Sequence, residues 1–123
     1  MRILIISDSH DNVANLEKIL KWANENSIKE IIHAGDVSAP GVVIKTLSPM
    51  VSGKMHLIFG NVGDKELLEQ VCAKTDNIKY YGDIGVVEFE NKKIAFVHFK
   101  AKADELANTG KYNLVVFGHS HQS

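Results

Sequence analysis

Side chains that can bind a metal ion recur at five places along the chain, each shortly after an apolar run. All of them are nitrogen or oxygen donors, which favour Mn²⁺, Fe, Ni²⁺ or Zn²⁺ over softer ions. The set consists of Asp8, His10, Asp36, Asn61, His98, His119 and His121. These donors exceed what one tetrahedral ion needs, whereas two ions that share one carboxylate would use them all. The residue types therefore predict a two-metal centre.

The spacing of the candidate ligands along the chain supports one shared metal centre. Asp8 and His10 are two residues apart, as are His119 and His121, and each pair has a serine between its members. In an extended chain alternate side chains point the same way, so each pair can reach a common centre from one side. Gly35 stands immediately before another candidate ligand, where its backbone freedom suits a tight turn.

Two metal ions about 3.5–4 Å apart are typical of hydrolases that cleave phosphate esters. Two divalent ions contribute four positive charges and the two aspartates remove two, so the centre would carry a formal charge of about +2. Such a site attracts an anionic phosphate and stabilises charge that builds up on its oxygens. A water held between the ions would lose its proton near neutral pH and serve as the nucleophile.

An α/β framework is predicted to position these residues. Apolar runs predict strands at Ile3–Ile6, expected to be buried on both faces, at Ile31–Ile32 and at Leu57–Phe59. Helices are predicted from Val13 onward with Asn12 as the cap, over Pro40–Leu47 and over Asp64–Lys74. This βαβαβα order indicates parallel strands, and the carboxyl ends of such strands form the crevice where ligands bind.

The second half of the chain has a different pattern. A hairpin is predicted from two apolar runs, Val86–Phe89 and Ile94–Val97, which flank Glu90–Lys93. A helix over Ala101–Asn108, closed by Gly110, and a last strand at Leu114–Phe117 follow.

Composition limits the class of protein. A chain of 123 residues with net charge −1 predicts a single domain over residues 1–123 and excludes a strong electrostatic nucleic-acid binder. Its apolar runs are far shorter than the roughly 20 residues of a membrane span. The single cysteine, Cys72, excludes a disulfide framework. Met1 leads directly into an apolar run without the layout of a signal peptide, which predicts a cytoplasmic protein.

Taken together, five ordered motifs resemble those of the calcineurin-like metallophosphoesterase family, especially its small single-domain phosphodiesterases. The motifs are Asp8-Ser9-His10, Gly35-Asp36, Gly60-Asn61, His98 and Gly118-His119-Ser120-His121, and they span essentially the whole chain. The resemblance implies an α/β fold, a two-sheet αββα sandwich with mixed sheets and a dinuclear site at the strand ends. Because family members continue beyond the second histidine pair, it also implies that this chain lacks the C-terminal strands of the second sheet.

The resemblance also implies a role for each candidate. Asp8, His10 and His121 would bind the first ion, Asn61, His98 and His119 the second, and Asp36 would bridge both. Asp36, Asn61 and His98 are accordingly the predicted catalytic residues, with Mn²⁺ the first expectation and Ni²⁺, Zn²⁺ or Fe the alternatives. The implied reaction is hydrolysis of a small phosphodiester by a hydroxide that bridges the ions.

Departures from the family pattern leave alternatives open. Val62 follows Asn61 where many superfamily members have a histidine, and Phe99 follows His98 where the family usually has glycine. A non-catalytic protein-binding scaffold of the same fold, or a metal-loaded inactive remnant, are the competing hypotheses. An unpaired sheet edge would favour a homodimer. His33 and His56 are interpreted as structural, with a supporting role behind the metal ligands open to His33.

Overall fold

Seven strands in two sheets form the framework of the part of the chain that the structure describes, residues 3–6, 13–35, 48–59 and 65–118 of a computed structural model. The first sheet is entirely parallel and has the spatial order β1-β2-β3-β4. Its strands are β1 (Ile3–Ile6), β2 (Glu30–His33), β3 (Lys54–Leu57) and β4 (Ile78–Tyr80). The helical elements among them are α1 (Val13–Glu25), the single turn α2 (Ser48–Met50) and α3 (Lys65–Ala73). The predicted parallel α/β order is therefore confirmed.

The second sheet is mixed and has the order β5-β6-β7. Strands β5 (Ile84–Phe89) and β6 (Lys92–Val97) are antiparallel, whereas β7 (Leu114–Phe117) runs parallel to β6 after the helix α4 (Lys100–Ala107). The hairpin is confirmed with a tighter turn than predicted. Only Glu90 and Asn91 connect its strands, and their φ angles of 51° and 67° suit the twist of a two-residue hairpin turn.

Two apolar layers hold the sheets and helices together. One packs α1 and α3 against the first sheet and contains Leu20, Ile31, Met55, Leu57, Leu68, Cys72 and Ile78. The other lies between the two sheets and contains Ile32, Ile58, Val87, Ile94 and Phe96. Since α4 contacts β6 and β7, the layers follow the predicted αββα order. None of the helices in the described ranges is long and apolar enough to cross a membrane.

Gly85 makes room for the largest side chain between the sheets. It pairs with Phe96 across the hairpin, and a Cβ at this position would overlap the Phe96 ring. Phe96 is fully buried, so its ring has no space into which it can move. A glycine at the second position of β5 is therefore a packing requirement.

A polar chain crosses the inter-sheet layer. The Nδ1 atom of His56 lies 2.7 Å from the Tyr81 hydroxyl, and its Nε2 atom lies 2.7 Å from a carboxylate oxygen of Glu30. Because a carboxylate only accepts, Nε2 donates to Glu30, and in the neutral ring Nδ1 accepts from Tyr81. The Tyr81 ring also makes an edge-to-face contact with Phe96, at 5.3 Å between ring centroids. His56 thus has the structural role that the sequence predicted.

Several boundaries differ from the sequence-based expectations. Strand β1 is not buried on both faces, because Ile5 is 41% exposed, and within the described residues β1 is an edge strand that pairs with β2 alone. The third strand ends at Leu57, whereas the prediction extended it to Phe59. The short strand β4 was not predicted. The Asn12 cap and the helix over Pro40–Leu47 lie outside the described residues.

Candidate metal centre

The carboxyl ends of the first three strands meet at one edge of the first sheet. The Ala34 N–H donates to the Ile6 carbonyl oxygen at 2.8 Å, and the Ile58 N–H donates to the His33 carbonyl oxygen at 3.3 Å. Each of these strand ends leads, within a few residues, to a candidate ligand in the sequence. The edge is therefore where the sequence analysis placed a common site.

A histidine of the second sheet is hydrogen-bonded to this edge. His98 follows β6, and its Nδ1 atom donates to the Ala34 carbonyl oxygen at 2.8 Å. Beside it, the Gly118 N–H donates to the Val97 carbonyl oxygen at 3.3 Å, so the end of β7 is next to the end of β6. The described ends of β1, β2, β3, β6 and β7 are consequently linked by four hydrogen bonds.

The hydrogen bond to Ala34 also determines which nitrogen of His98 can bind a metal. A carbonyl oxygen only accepts, so Nδ1 carries the hydrogen and Nε2 is the unprotonated nitrogen of the neutral ring. The side chain is buried, with 3% of the residue exposed, and its ring lies edge-to-face against Phe99 at 4.9 Å. Metal-binding histidines are commonly oriented in this way, by a backbone carbonyl at the second nitrogen. The chemistry of His98 therefore fits a metal ligand.

A second buried histidine holds the turn that precedes Asp36. The Gly35 N–H donates to the Nδ1 atom of His33 at 3.2 Å, and Gly35 has a φ of 103° that favours glycine. His33 is fully buried. Gly35 therefore has the left-handed backbone conformation for which glycine is suited, and the His33 ring accepts a hydrogen bond from its N–H.

Most of the predicted ligand set lies outside the described residues, namely Asp8, His10, Asp36, Asn61, His119 and His121. Within the described ranges no three His, Cys, Asp or Glu side chains form a group that could hold a metal ion. His98 is the predicted ligand whose surroundings the structure describes, and the assignment of the other six stays a prediction.

An ion pair near the site was missed by the sequence analysis. Lys65, the first residue of α3, places its Nζ atom 2.8 and 2.9 Å from the two carboxylate oxygens of Asp83. The same Nζ atom lies 5.7 Å from the centre of the Phe59 ring. Asp83 directly precedes β5 and lines a groove beside His98. No local pattern indicates this pairing, because its partners are 18 residues apart.

Comparison with known proteins identifies the family. The family model for the calcineurin-like phosphoesterase superfamily domain matches residues 1–123. The chain belongs to this family. Members of the family generally use divalent metal ions, a property that the chemistry of His98 fits.

A curated relative and two solved structures extend the comparison. Phosphodiesterase MJ0936 of Methanocaldococcus jannaschii is 26% identical over 99% of this chain and 74% of the relative. The structure of a novel archaeal phosphodiesterase matches with a TM-score of 0.82 at 24% identity, over 99% of this chain and 74% of the other. Protein AQ665 of Aquifex aeolicus matches with a TM-score of 0.65 at 18% identity, over 98% and 80%.

The comparisons support two statements about this chain. The two solved structures show the fold, which is the predicted α/β architecture. Family membership, together with the curated phosphodiesterase relative, supports a hydrolase that acts on phosphoric esters.

Proposed function

We propose that this protein is a phosphodiesterase that depends on two divalent metal ions. The observation that supports the proposal is the hydrogen bond from His98 Nδ1 to the Ala34 carbonyl oxygen, since it makes Nε2 the ring nitrogen that would bind a metal ion. A small phosphodiester is the proposed substrate class, as the curated relative is a phosphodiesterase.

The proposed ligand roles follow the family pattern. In this proposal Asp8, His10 and His121 bind the first ion, Asn61, His98 and His119 bind the second, and Asp36 bridges the two. When bound, two such ions supply a hydroxide nucleophile at neutral pH and neutralise charge on the phosphate oxygens. Mn²⁺ is the first choice for the native ion, with Ni²⁺, Zn²⁺ or Fe as alternatives, because nitrogen and oxygen donors suit all four metals.

The residues around His98 hold its ring in a fixed orientation and exclude water from it. The Ala34 carbonyl keeps the His98 ring in one tautomer and one orientation, so no reorganisation is needed when substrate binds. Burial of His98 and His33 keeps water from competing for these contacts. The carboxylate of Asp36 is the group that would hold both ions.

The test is hydrolysis of a chromogenic phosphodiester and of the matching monoester, after metal removal and again after Mn²⁺ reloading. We expect turnover that depends on Mn²⁺ and prefers the diester, and we expect Asp36→Ala to abolish it. Asp104→Ala is the matched control, because Asp104 is an exposed carboxylate paired with Lys100 on the surface of α4. Full activity of metal-loaded Asp36→Ala would refute the proposal.

Calorimetric titration with Mn²⁺ separates the competing hypotheses. A folded chain that binds no Mn²⁺ would favour a protein-binding scaffold. A chain that binds Mn²⁺ tightly but hydrolyses neither ester would be the inactive remnant.

A further inference from the structure

A groove of about 300 Å³ opens beside His98. Its lining consists of Asp83, Ile84, Val97, His98, Phe99 and Lys102. This volume is at the small end of ligand sites, enough for one aromatic ring system but not for a long chain. Because His98 is part of the wall, whatever occupies the groove lies next to the proposed metal centre.

The lining of this groove includes large hydrophobic side chains that the fold leaves partly exposed to solvent. Ile84 is 39% exposed and Phe99 is 43% exposed, although both are large hydrophobic residues. Ile84 pairs with Val97 in the register of β5 and β6, and Phe99 follows His98 directly. Both residues line the groove together with His98. Contact with a ligand would remove this surface from water.

The charged residues around the groove do not prevent an anionic substrate from binding there. Asp83 would repel a phosphate, but Lys65 contacts both of its carboxylate oxygens at 2.8 and 2.9 Å. On the other side, Lys102 contacts Glu105 at 3.5 Å, a distance that leaves its ammonium group only weakly engaged. The negative charge of Asp83 in the lining is therefore compensated by Lys65.

We infer that this groove binds an uncharged aromatic group esterified to the phosphate, with Phe99 as the residue that determines the preference. The inference rests on the proposed function, because it places the phosphate at the metal centre beside His98. Covering roughly 55 Å² of apolar surface corresponds to about a tenfold change in affinity. An aryl ligand is therefore expected to bind about tenfold more tightly than a methyl ligand with the same phosphoryl group.

The experiment is calorimetric titration of the full, Mn²⁺-reloaded chain with phenylphosphonate and with methylphosphonate, which need not be hydrolysed to be measured. We expect the roughly tenfold preference for phenylphosphonate in the wild type and in Trp22→Ala, the matched control. Trp22 is a half-exposed aromatic residue on α1, outside the groove lining. In Phe99→Ala the preference should fall to about twofold or less, with the affinity for methylphosphonate retained. Ile84→Ala, which removes the opposite wall, should reduce it in the same direction.

The outcomes separate this inference from the proposed function. A folded, Mn²⁺-loaded protein that binds neither phosphonate overturns the inference, and the proposed function fails with it only if that protein also hydrolyses neither ester. Equal affinity for the two ligands in the wild type overturns the inference alone, as does a preference that survives in both Phe99→Ala and Ile84→Ala. A preference lost equally in Trp22→Ala shows a general effect of aromatic truncation and also overturns it.

Discussion

Two adjacent tyrosines allow the same chemical deletion to be tested in two environments. The hydroxyl of Tyr81 donates to His56 at 2.7 Å, whereas the hydroxyl of Tyr80 is buried and has no hydrogen-bond partner in the described part of the chain. We expect Tyr81→Phe to lower the free energy of unfolding and Tyr80→Phe to leave it unchanged or raise it.

The expected loss for Tyr81→Phe follows from what the deletion leaves behind. The Nδ1 atom of His56 would lose its donor while the residue stays 6% exposed, so water cannot readily replace the hydroxyl. An unsatisfied buried acceptor costs about 1–3 kcal/mol, and we expect about 2 kcal/mol. For a domain of this size that lowers Tm by roughly 8 °C. The aromatic contact with Phe96 is kept, because phenylalanine retains the ring.

The opposite change in the free energy of unfolding that we expect for Tyr80→Phe has the same physical basis. Its buried hydroxyl was stripped of water on folding and gained no partner within the described residues, so removing it recovers a desolvation cost. We expect a gain of up to about 1 kcal/mol. Burial, and then the charge of Asp83, raise the pKa of Tyr80 to about 12, and burial and then Glu30 raise the pKa of Tyr81. Both hydroxyls are therefore uncharged at pH 7, and the comparison is between two neutral groups.

The assay is urea unfolding at pH 7, followed by circular dichroism and by the fluorescence of Trp22, for the wild type and both variants. Equal m-values would show that the variants differ in stability and not in the extent of unfolding. A loss at Tyr80 as large as that at Tyr81, or no loss at Tyr81, would refute the reasoning, since it would mean that the hydrogen bond to His56 does not decide the outcome.

Three further predictions concern stability and are measured by denaturant unfolding. Gly85→Ala is expected to cost about 1–3 kcal/mol, because the added methyl overlaps the fully buried Phe96 ring; an unchanged midpoint would contradict this packing. Burial raises the pKa of the Cys72 thiol from 9.0 to about 11 in the folded state. Between pH 9 and 11 the thiol is therefore deprotonated in the unfolded chain but still protonated in the folded one, so the free energy of unfolding falls as the pH rises through this range. The loss from this group is about 2–3 kcal/mol, and Cys72→Ala should show a correspondingly shallower decline over that range. Glu90→Asn should stabilise the hairpin by about 0.5 kcal/mol, because asparagine tolerates a φ of 51° better than glutamate does; a lower midpoint would argue against strain there.

Elements with an uninterrupted local pattern were predicted well. The run Leu114–Phe117 is the strand β7 without change, and the second predicted strand, Ile31–Ile32, lies inside β2. Strand β3 was displaced in the prediction because it contains Lys54 and His56, which break the apolar run. His56 is buried only because Glu30 and Tyr81 satisfy its ring, and those partners are 26 and 25 residues away.

The candidate site, too, could be predicted from the sequence only in part. The type and order of its residues carry the family resemblance, so the family was predicted from the sequence and is confirmed. What orients His98 was not predictable, because its partner is a backbone carbonyl that every residue possesses. The groove beside it was missed as well, since Ile84 and Phe99 come together only through the hairpin register and the start of α4.

The hydrogen bond between His98 and Ala34 has a consequence for the order of folding. It joins residues 64 positions apart, and among the described residues the last strand of the first sheet ends at Tyr80, before the hairpin has begun. During synthesis the first sheet can therefore form while the donor of this bond has not yet been made. The imidazole acquires its orientation only when the second sheet docks onto the first. In refolding, the signal of an ordered His98 should accordingly appear after most secondary structure has formed, which makes this side chain a reporter of the final docking step.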